Sequence, residues 1–334
     1  MGDQCWLTPK SSGDALLALM NSQVFMSSLS SSQWSSSVFD VAIVGGSFAG
    51  LAAAMPLVRG HRKVVVIDAG LPRNRFAAHA HGIFGMDGLS PAMIRERALQ
   101  ELQAYPTFRQ VEGRVVSITG EDGRFCLATE AGSGMQAQKL ILATGIRDEL
   151  PELAGLAERW VKTVIHCPYC HGYELSHRAL GVLGSSAMSW HQAAMIPDWG
   201  ATTFFTQGNI QLEPEQRDLL VRRGVMIEDS PVVTLLGEAP ELTGVRLADG
   251  REIAIEGLYV ASRINAAEPL ALSLGCKLEE SPMGTVLGVD AMKQTSVPGV
   301  FAAGDLSNLM QNGTFAIASG TLAGVSAHRS LMFG

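Results

Sequence analysis

The chain has 334 residues, of which 47% are hydrophobic and 17% charged, describing a globular, rather apolar protein long enough for two domains with separate cores. Its formal net charge of -7 argues against a nucleic-acid partner and against an anionic membrane surface. The five cysteines, an odd number, argue against an exported disulfide framework.

Residues 1–37 stand apart from the rest. Asp14 to Met20 is an apolar run too short and too acidic for a signal-peptide core, and no basic segment or small-residue cleavage pattern frames it. Ser27 to Ser37 is a serine-rich run broken only by Leu29, Gln33 and Trp34, without the apolar periodicity needed to bury surface. The segment reads as a disordered leader with no assigned function, and a true start at Met20 or Met26 would look the same. With no export signal, the chain is expected in the cytoplasm.

The folded part is expected from Phe39. Val41 to Val44 reads as a buried strand, Gly45-Gly46-Ser47-Phe48-Ala49-Gly50 as a turn opening an alanine-rich helix, and Lys63 to Ile67 as a second strand ending at Asp68. Residues 41–58 are long enough to span a membrane, but the paired glycines, Ser47 and Pro56 make a poor spanning helix. Strand, turn, helix and strand together form a dinucleotide-binding arrangement. It has a tight turn at Gly45, close backbone approach to a pyrophosphate, helix-to-strand contact at Gly50, and Asp68 at the right distance for a ribose. Ser47 replaces the middle glycine. Farther on, Leu140 to Ala143 is a strand running into the small-residue turn Ala143-Thr144-Gly145.

The next stretch is the most informative. Cys167-Pro168-Tyr169-Cys170 is flanked by His166 on one side and by His171-Gly172-Tyr173-Glu174 on the other. Two cysteines separated by two residues can alternate between disulfide and dithiol, carrying two electrons. One thiol of such a pair usually has a depressed pKa, and histidines supply proton transfer near neutral pH. A structural zinc site would need a second pair of soft ligands, whereas Cys5, Cys126 and Cys276 are scattered singly, so no metal is expected. Cys167 to His171 also matches the c-type haem pattern, which requires export. A purely structural disulfide does not suit a cytosolic chain. The redox reading remains.

Ala179 to Gly184, Thr202 to Phe205 and Gly257 to Ser262 then read as further strands. Val297 to Ala303 is a strand leading into Gly304-Asp305, and Thr314 to Leu331 reads as a helix rich in Ala and Gly.

The glycine turn, the CxxC and the late Gly-Asp, in this order, resemble the low-molecular-weight thioredoxin reductase family of pyridine nucleotide–disulfide flavoproteins, over roughly residues 38–334. The resemblance implies an α/β protein of two Rossmann-like, three-layer ββα domains. The FAD-binding domain, 38–150 and 278–334, would be split by an inserted NAD(P)-like domain, 151–277, carrying the CxxC. Gly45, Gly46, Ser47, Gly50 and Asp68 would hold the adenosine half of FAD, with Ala143, Thr144 and Gly145 closing over the cofactor. Gly304 and Asp305 would meet the ribityl chain, and a helix starting around Gln311 to Thr314 would aim its N-terminus at the flavin. The loop carrying Arg73, His79 and His81 would lie near the flavin, its histidines serving structure or cofactor contact. The family also implies a homodimer.

Two departures from that family matter. After Gly184, Ser186 stands where a second glycine is expected, Met188-Ser189-Trp190 adds bulk, and the paired arginines expected after Phe205 are replaced by Thr206-Gln207-Gly208-Asn209. Weak NADP binding follows. Second, His171 stands where those reductases carry aspartate, making the redox segment similar to dithiol oxidases that close disulfides in natural products such as gliotoxin, holomycin and romidepsin. The expected function is therefore an FAD-dependent dithiol oxidase acting on a small, peptide-derived dithiol. A substrate thiolate formed with help from His166 or His171 would attack Cys167, and Cys170 would pass electrons to the flavin, with oxygen or NADP as final acceptor. The alternatives are a thioredoxin or related disulfide reductase fed by NADPH or ferredoxin, and a flavoprotein that binds or senses without turnover.

Overall fold

The computed structural model describes residues 34–266, 269–281 and 283–334, with side chains from residue 38 onward. The expected leader therefore lies outside the described residues up to 33. The first strand runs Trp34–Val44, with Trp34 opposite Gly134, so pairing begins within the serine-rich run and not at Phe39. Backbone groups pair without apolar side chains, which is why composition missed these residues.

Val41 to Val44 lies between parallel partners, Val64–Asp68 on one side and Gly134–Leu142 on the other. Burial on both faces explains the continuous run of valine, isoleucine and alanine. Alternate side chains feed separate cores. Val41, Ile43, Val64 and Val66 pack with Leu57 and Ala53 of the helix Phe48–Arg59 and with Ala323 and Ala327 of the helix Gly313–Phe333. Ala42, Val44, Val65 and Ile67 pack on the other side with Phe125, Leu127, Leu140 and Leu142.

The strand Gly134–Leu142 is shared along its length. Its first half pairs antiparallel with Arg124–Thr129, and Leu140 to Leu142 pair parallel with Val300–Ala302. The end of the chain thus returns to the sheet that its beginning built. The intervening chain forms a five-stranded parallel sheet among the described residues, in the order Met226–Glu228, Ala201–Phe205, Ala179–Leu183, Gly257–Val260, Val164–Ile165. The antiparallel strands Val232–Leu236, Gly244–Leu247 and Glu252–Ile253 share a core with one face, and the helices Ser189–Met195 and Pro214–Arg222 share one with the other.

Arg147–Glu149 and Arg263–Asn265 pair antiparallel as the two crossings between these halves. Ile264, Ala266, Leu270, Ala271 and Cys276 are buried with Phe39, Leu140 and Leu142. The return crossing lies at Arg263, set by a strand pairing with no local sequence mark. Among the described residues, no helix is long and apolar enough to cross a membrane.

Candidate active site

The strand Val164–Ile165 pairs with Leu258 and Tyr259, and the chain then turns through His166 into a single helical turn, Pro168–His171. Cys167 is its N-cap, and Pro168 occupies the first position, where a missing N–H costs nothing. Both cysteines are free and half-buried, so exposure does not single one out. Electrostatics does. The Cys170 thiol donates to Cys167; with the amides of Cys170 and Tyr169 and the charge of Arg73, this overcomes burial and pulls Cys167 down to about 7. Donating that proton drives Cys170 well above the usual thiol range, and burial adds to it. Of the two sulfurs, Cys167 is the one that ionises around neutral pH, and Cys170 keeps its proton.

The flanking histidines face different surroundings. His166 contacts the Val260 carbonyl through Nδ1 at 3.3 Å, and its own carbonyl accepts from Gln192 Nε2 at 2.7 Å. Burial, then the charge of Arg73, pushes its pKa below the ordinary value. With Nδ1 donating, Nε2 is left as a proton acceptor. His171 is also pushed down, first by burial and then by His81, against an upward pull from Glu174. Both are neutral imidazoles at pH 7. His81 reaches Glu174 at 3.3 Å and Asp87 at 3.5 Å, while His79 contacts the Gly88 carbonyl at 3.0 Å. The 79–81 loop therefore touches the redox segment through the His81–Glu174 contact. Tyr169 and Tyr173 are 69% and 84% exposed beside the cysteines, an aromatic rim at the mouth of the site.

The first dinucleotide turn is an open cradle. Gly45 adopts φ +106°, and a Cβ there would stand 2.3 Å from the Ala143 carbonyl oxygen; one on Gly50 would stand 1.8 Å from that of Gly45. Gly46 lies against Asp68. Ser47 caps the helix Phe48–Arg59 without a side-chain hydrogen bond, so its hydroxyl does not occupy the helix's first amides. The carboxylate of Asp68 is held by Arg95, which also donates to the Gly46 carbonyl at 2.9 Å. Arg95 left no sign in the sequence. Beside Ala143 and Gly145, the Thr144 hydroxyl is buried without a partner, as are Ser307 Oγ and Gln311 Nε2. Gly304 donates to Ser319 Oγ at 2.9 Å, and Asp305 follows it. The last helix starts at Gly313, capped by Asn312, whose Oδ1 takes the Thr314 amide at 2.7 Å; Thr314 Oγ1 donates to Gly82 at 3.0 Å. A glycine cradle, a terminal carboxylate and orphaned buried donors fit a flavin dinucleotide.

The second turn is closed on itself. Following Gly184, the amides of Ser185 and Ser186 both donate to Ser189 Oγ at 3.1 Å. Gln207 Oε1 accepts from the Val232 amide at 2.8 Å, and Ser185 Oγ donates to the Ala261 carbonyl at 2.7 Å. A cleft of about 570 Å³ remains, lined by Glu149, Glu152, Arg263, Ser185, Gln207 and Asn209. Ser189 was legible only as bulk, although a serine three residues past Ser186 has cap spacing. Among the described residues, no group of three or more His, Cys, Asp and Glu is placed to hold a metal ion.

Residues 39–320 match the family model described as pyridine nucleotide-disulphide oxidoreductase. The chain is 34% identical over 308 residues to thioredoxin reductase tcpT of Claviceps purpurea, covering 89% of this chain and 95% of the relative. It is 32% identical to thioredoxin reductase sirT of Leptosphaeria maculans, covering 86% and 93%. Among solved structures, an oxidoreductase from Agrobacterium tumefaciens superposes with a TM-score of 0.85 at 45% identity, covering 89% of this chain and 99% of that one. The structure of HlmI superposes at 0.82 with 33% identity, covering 89% and 93%.

Proposed function

The chain belongs to the pyridine nucleotide-disulphide oxidoreductase family, and we propose that within it the chain is a dithiol oxidase closing an intramolecular disulfide in a small, peptide-derived molecule. One contrast carries this reading. The redox pair and the first dinucleotide cradle are intact, while the second turn spends its amides on Ser189 and carries Thr206-Gln207-Gly208-Asn209 where paired arginines would meet a phosphate. Electron input from a nicotinamide nucleotide is thereby weakened, and oxidation of thiols is left.

In the proposed reaction, a neutral imidazole of His171 or His166 takes the proton of one substrate thiol. The substrate thiolate attacks Cys167 Sγ of the enzyme disulfide, a new S–S bond forms, and Cys170 departs. Burial of Cys170 favours its taking up a proton, which the imidazolium supplies. The second substrate thiol, deprotonated in turn, attacks the substrate sulfur of the mixed disulfide and expels Cys167, whose low pKa makes it a good leaving group. The substrate loses two electrons and two protons as its disulfide closes, and the enzyme is left with two reduced cysteines. FAD, held by Gly45, Gly46, Ser47, Gly50, Asp68, Thr144 and Asp305 in this reading, would supply the two-electron acceptor for that dithiol, with oxygen or, less readily, NADP as the final one. The exposed Tyr169 and Tyr173 suit a flat, apolar molecule.

The test is aerobic turnover of a small dithiol by the purified protein without added nucleotide. Disulfide and hydrogen peroxide should accumulate in equal amounts. The names of the relatives favour a second reading, a disulfide reductase fed by NADPH or ferredoxin. Rapid anaerobic bleaching of the flavin by NADPH, with no bleaching by a small dithiol, would establish that reading instead.

A further inference from the structure

Trp199 follows the single turn Ile196–Asp198, just before the strand Ala201–Phe205, and is only partly buried. It packs against the core cluster that holds Ile165, Leu175 and Ile196. Its carbonyl oxygen accepts from the His177 amide at 2.6 Å, which pins its backbone to the end of the redox stretch. The indole meets that stretch twice more. The Tyr169 ring stands edge-on to it, with centroids 5.6 Å apart and planes at 84°. At Gly172, a Cβ would stand 2.9 Å from the indole Nε1 and 2.4 Å from the Pro168 carbonyl oxygen. Gly172 has ordinary helical angles, φ -71° and ψ -32°, so glycine is required there for space and not for backbone conformation.

We propose that Trp199 is a positioning residue for substrate: it holds in place the Tyr169 ring, carried between the two cysteines, as a fixed wall on which the planar face of a peptide-derived dithiol lies. Tyr169 is 69% exposed, and a side chain that free ordinarily loses contact energy to ordering each time a ligand binds. An edge-to-face partner fixes the ring beforehand. Trp199 itself is held, since its backbone is tied to His177 and its ring is wedged against Gly172 and the core beneath. A tryptophan serving the core alone would meet only buried neighbours. This one also meets an exposed ring flanked in sequence by the reactive sulfurs. A fixed ring favours a dithiol with a flat, apolar face over an open-chain polar one, because stacking on it requires no further ordering.

The inference rests on the small-dithiol reading, and its test does not require turnover. The oxidised full-length protein is mixed anaerobically with dithiothreitol or with ortho-bis(mercaptomethyl)benzene, dithiols of equal thiol spacing of which only the second carries a ring. Each gives up two electrons and two protons to the Cys167–Cys170 disulfide as its own disulfide closes. The freed cysteines are alkylated at timed intervals and read by peptide mass spectrometry, which separates the half-saturating concentration from the limiting rate. For the aromatic dithiol, Trp199→Leu should raise the half-saturating concentration about tenfold at an unchanged limiting rate. Trp199→Phe keeps an aromatic edge and should recover most of that loss. Dithiothreitol should react with all three proteins alike. Adding Trp199→Leu to Tyr169→Leu should change nothing beyond Tyr169→Leu alone, since one residue acts through the other. A merely structural role would displace the cysteine turn and slow both dithiols equally. That result, an unmoved aromatic dithiol, or additive effects in the double variant overturns the proposal. Should Trp199→Leu fail to fold, Tyr169→Leu decides from its exposed position, an unchanged preference between the two dithiols counting against the proposal. Disulfide exchange of this kind proceeds in a reductase as well, so failure of the oxidase reading shows separately, as absent aerobic turnover of dithiothreitol by the wild type.

Discussion

Ser189 Oγ lies 3.1 Å from the backbone nitrogen of Ser186 and accepts its hydrogen bond, so the second dinucleotide turn is capped by its own helix. The corresponding turn at Gly45 has no such cap, since Ser47 makes no side-chain hydrogen bond there. Two turns of related sequence therefore differ in whether their amides are free for an anion. Ser189→Ala should release the amide of Ser186, while that of Ser185 keeps its bond to the Leu183 carbonyl, and tighten NADPH binding about tenfold, the worth of one hydrogen bond to a charged group. Calorimetric titration reads this directly. An affinity equal to wild type would remove the cap as the cause.

The cysteine pair gives a second prediction. Cys167→Ser and Cys170→Ser should each abolish dithiol oxidation while FAD remains bound, because neither sulfur completes a disulfide alone. The Cys170 thiol is the largest stabiliser of ionised Cys167, so Cys170→Ala should move the thiolate absorbance midpoint upward from about 7. A midpoint that stays in place would assign the low value to the amides and Arg73 instead.

Acid should weaken both activity and stability through the histidines. His166 and His171 have folded-state pKa values below the ordinary 6.5, chiefly through burial. The unfolded chain therefore binds more protons as pH falls through 6.5. The stability these groups contribute is full above that value and is lost as pH drops toward the folded pKa. Chemical denaturation between pH 7.5 and 5 should show this slope, and a double His→Gln variant should flatten it. Activity of the wild type should fall in the same window, since a protonated imidazole accepts nothing.

How far the sequence carried depended on whether a feature was local. The turn at Gly45, the strand to Asp68 and the CxxC are contiguous runs whose physical demands show in one dimension. Arg95 on Asp68 and the Arg73–Asp148 fork join positions far apart in the chain, and nothing local announces them. The crossing at Arg263 is likewise non-local, being defined by its pairing with Glu149. The Asn312 cap was local and readable, lying one residue before the helix that begins at Gly313.

Orphaned hydroxyls offer a test of the cofactor cradle that does not depend on turnover. Thr144 Oγ1 and Ser307 Oγ are buried without partners, which costs about 1–3 kcal/mol each in a protein without its ligand. Thr144→Val and Ser307→Ala should therefore raise the melting temperature of the FAD-free protein while weakening FAD binding. Stabilisation together with unchanged FAD affinity would mean that these hydroxyls do not serve the cofactor.

The final electron acceptor follows from what the second turn has lost. Its amides are occupied by Ser189, Gln207 is engaged with the Val232 amide, and the nearby cleft presents Glu149 and Glu152, carboxylates that repel a phosphate. Among the described residues, Arg263 lines that cleft against the carboxylates of Glu149 and Glu152. The balance predicts that reduced enzyme reacts faster with oxygen than with NADP. Anaerobically reduced protein, mixed in a stopped-flow cell with air-saturated buffer or with NADP, should recover flavin absorbance sooner with air. The Ser189→Ala variant should narrow the gap by speeding the NADP reaction alone, since a freed amide does nothing for oxygen. Recovery much faster with NADP in the wild type would restore a nucleotide-linked enzyme and leave the Ser189 cap as a structural detail.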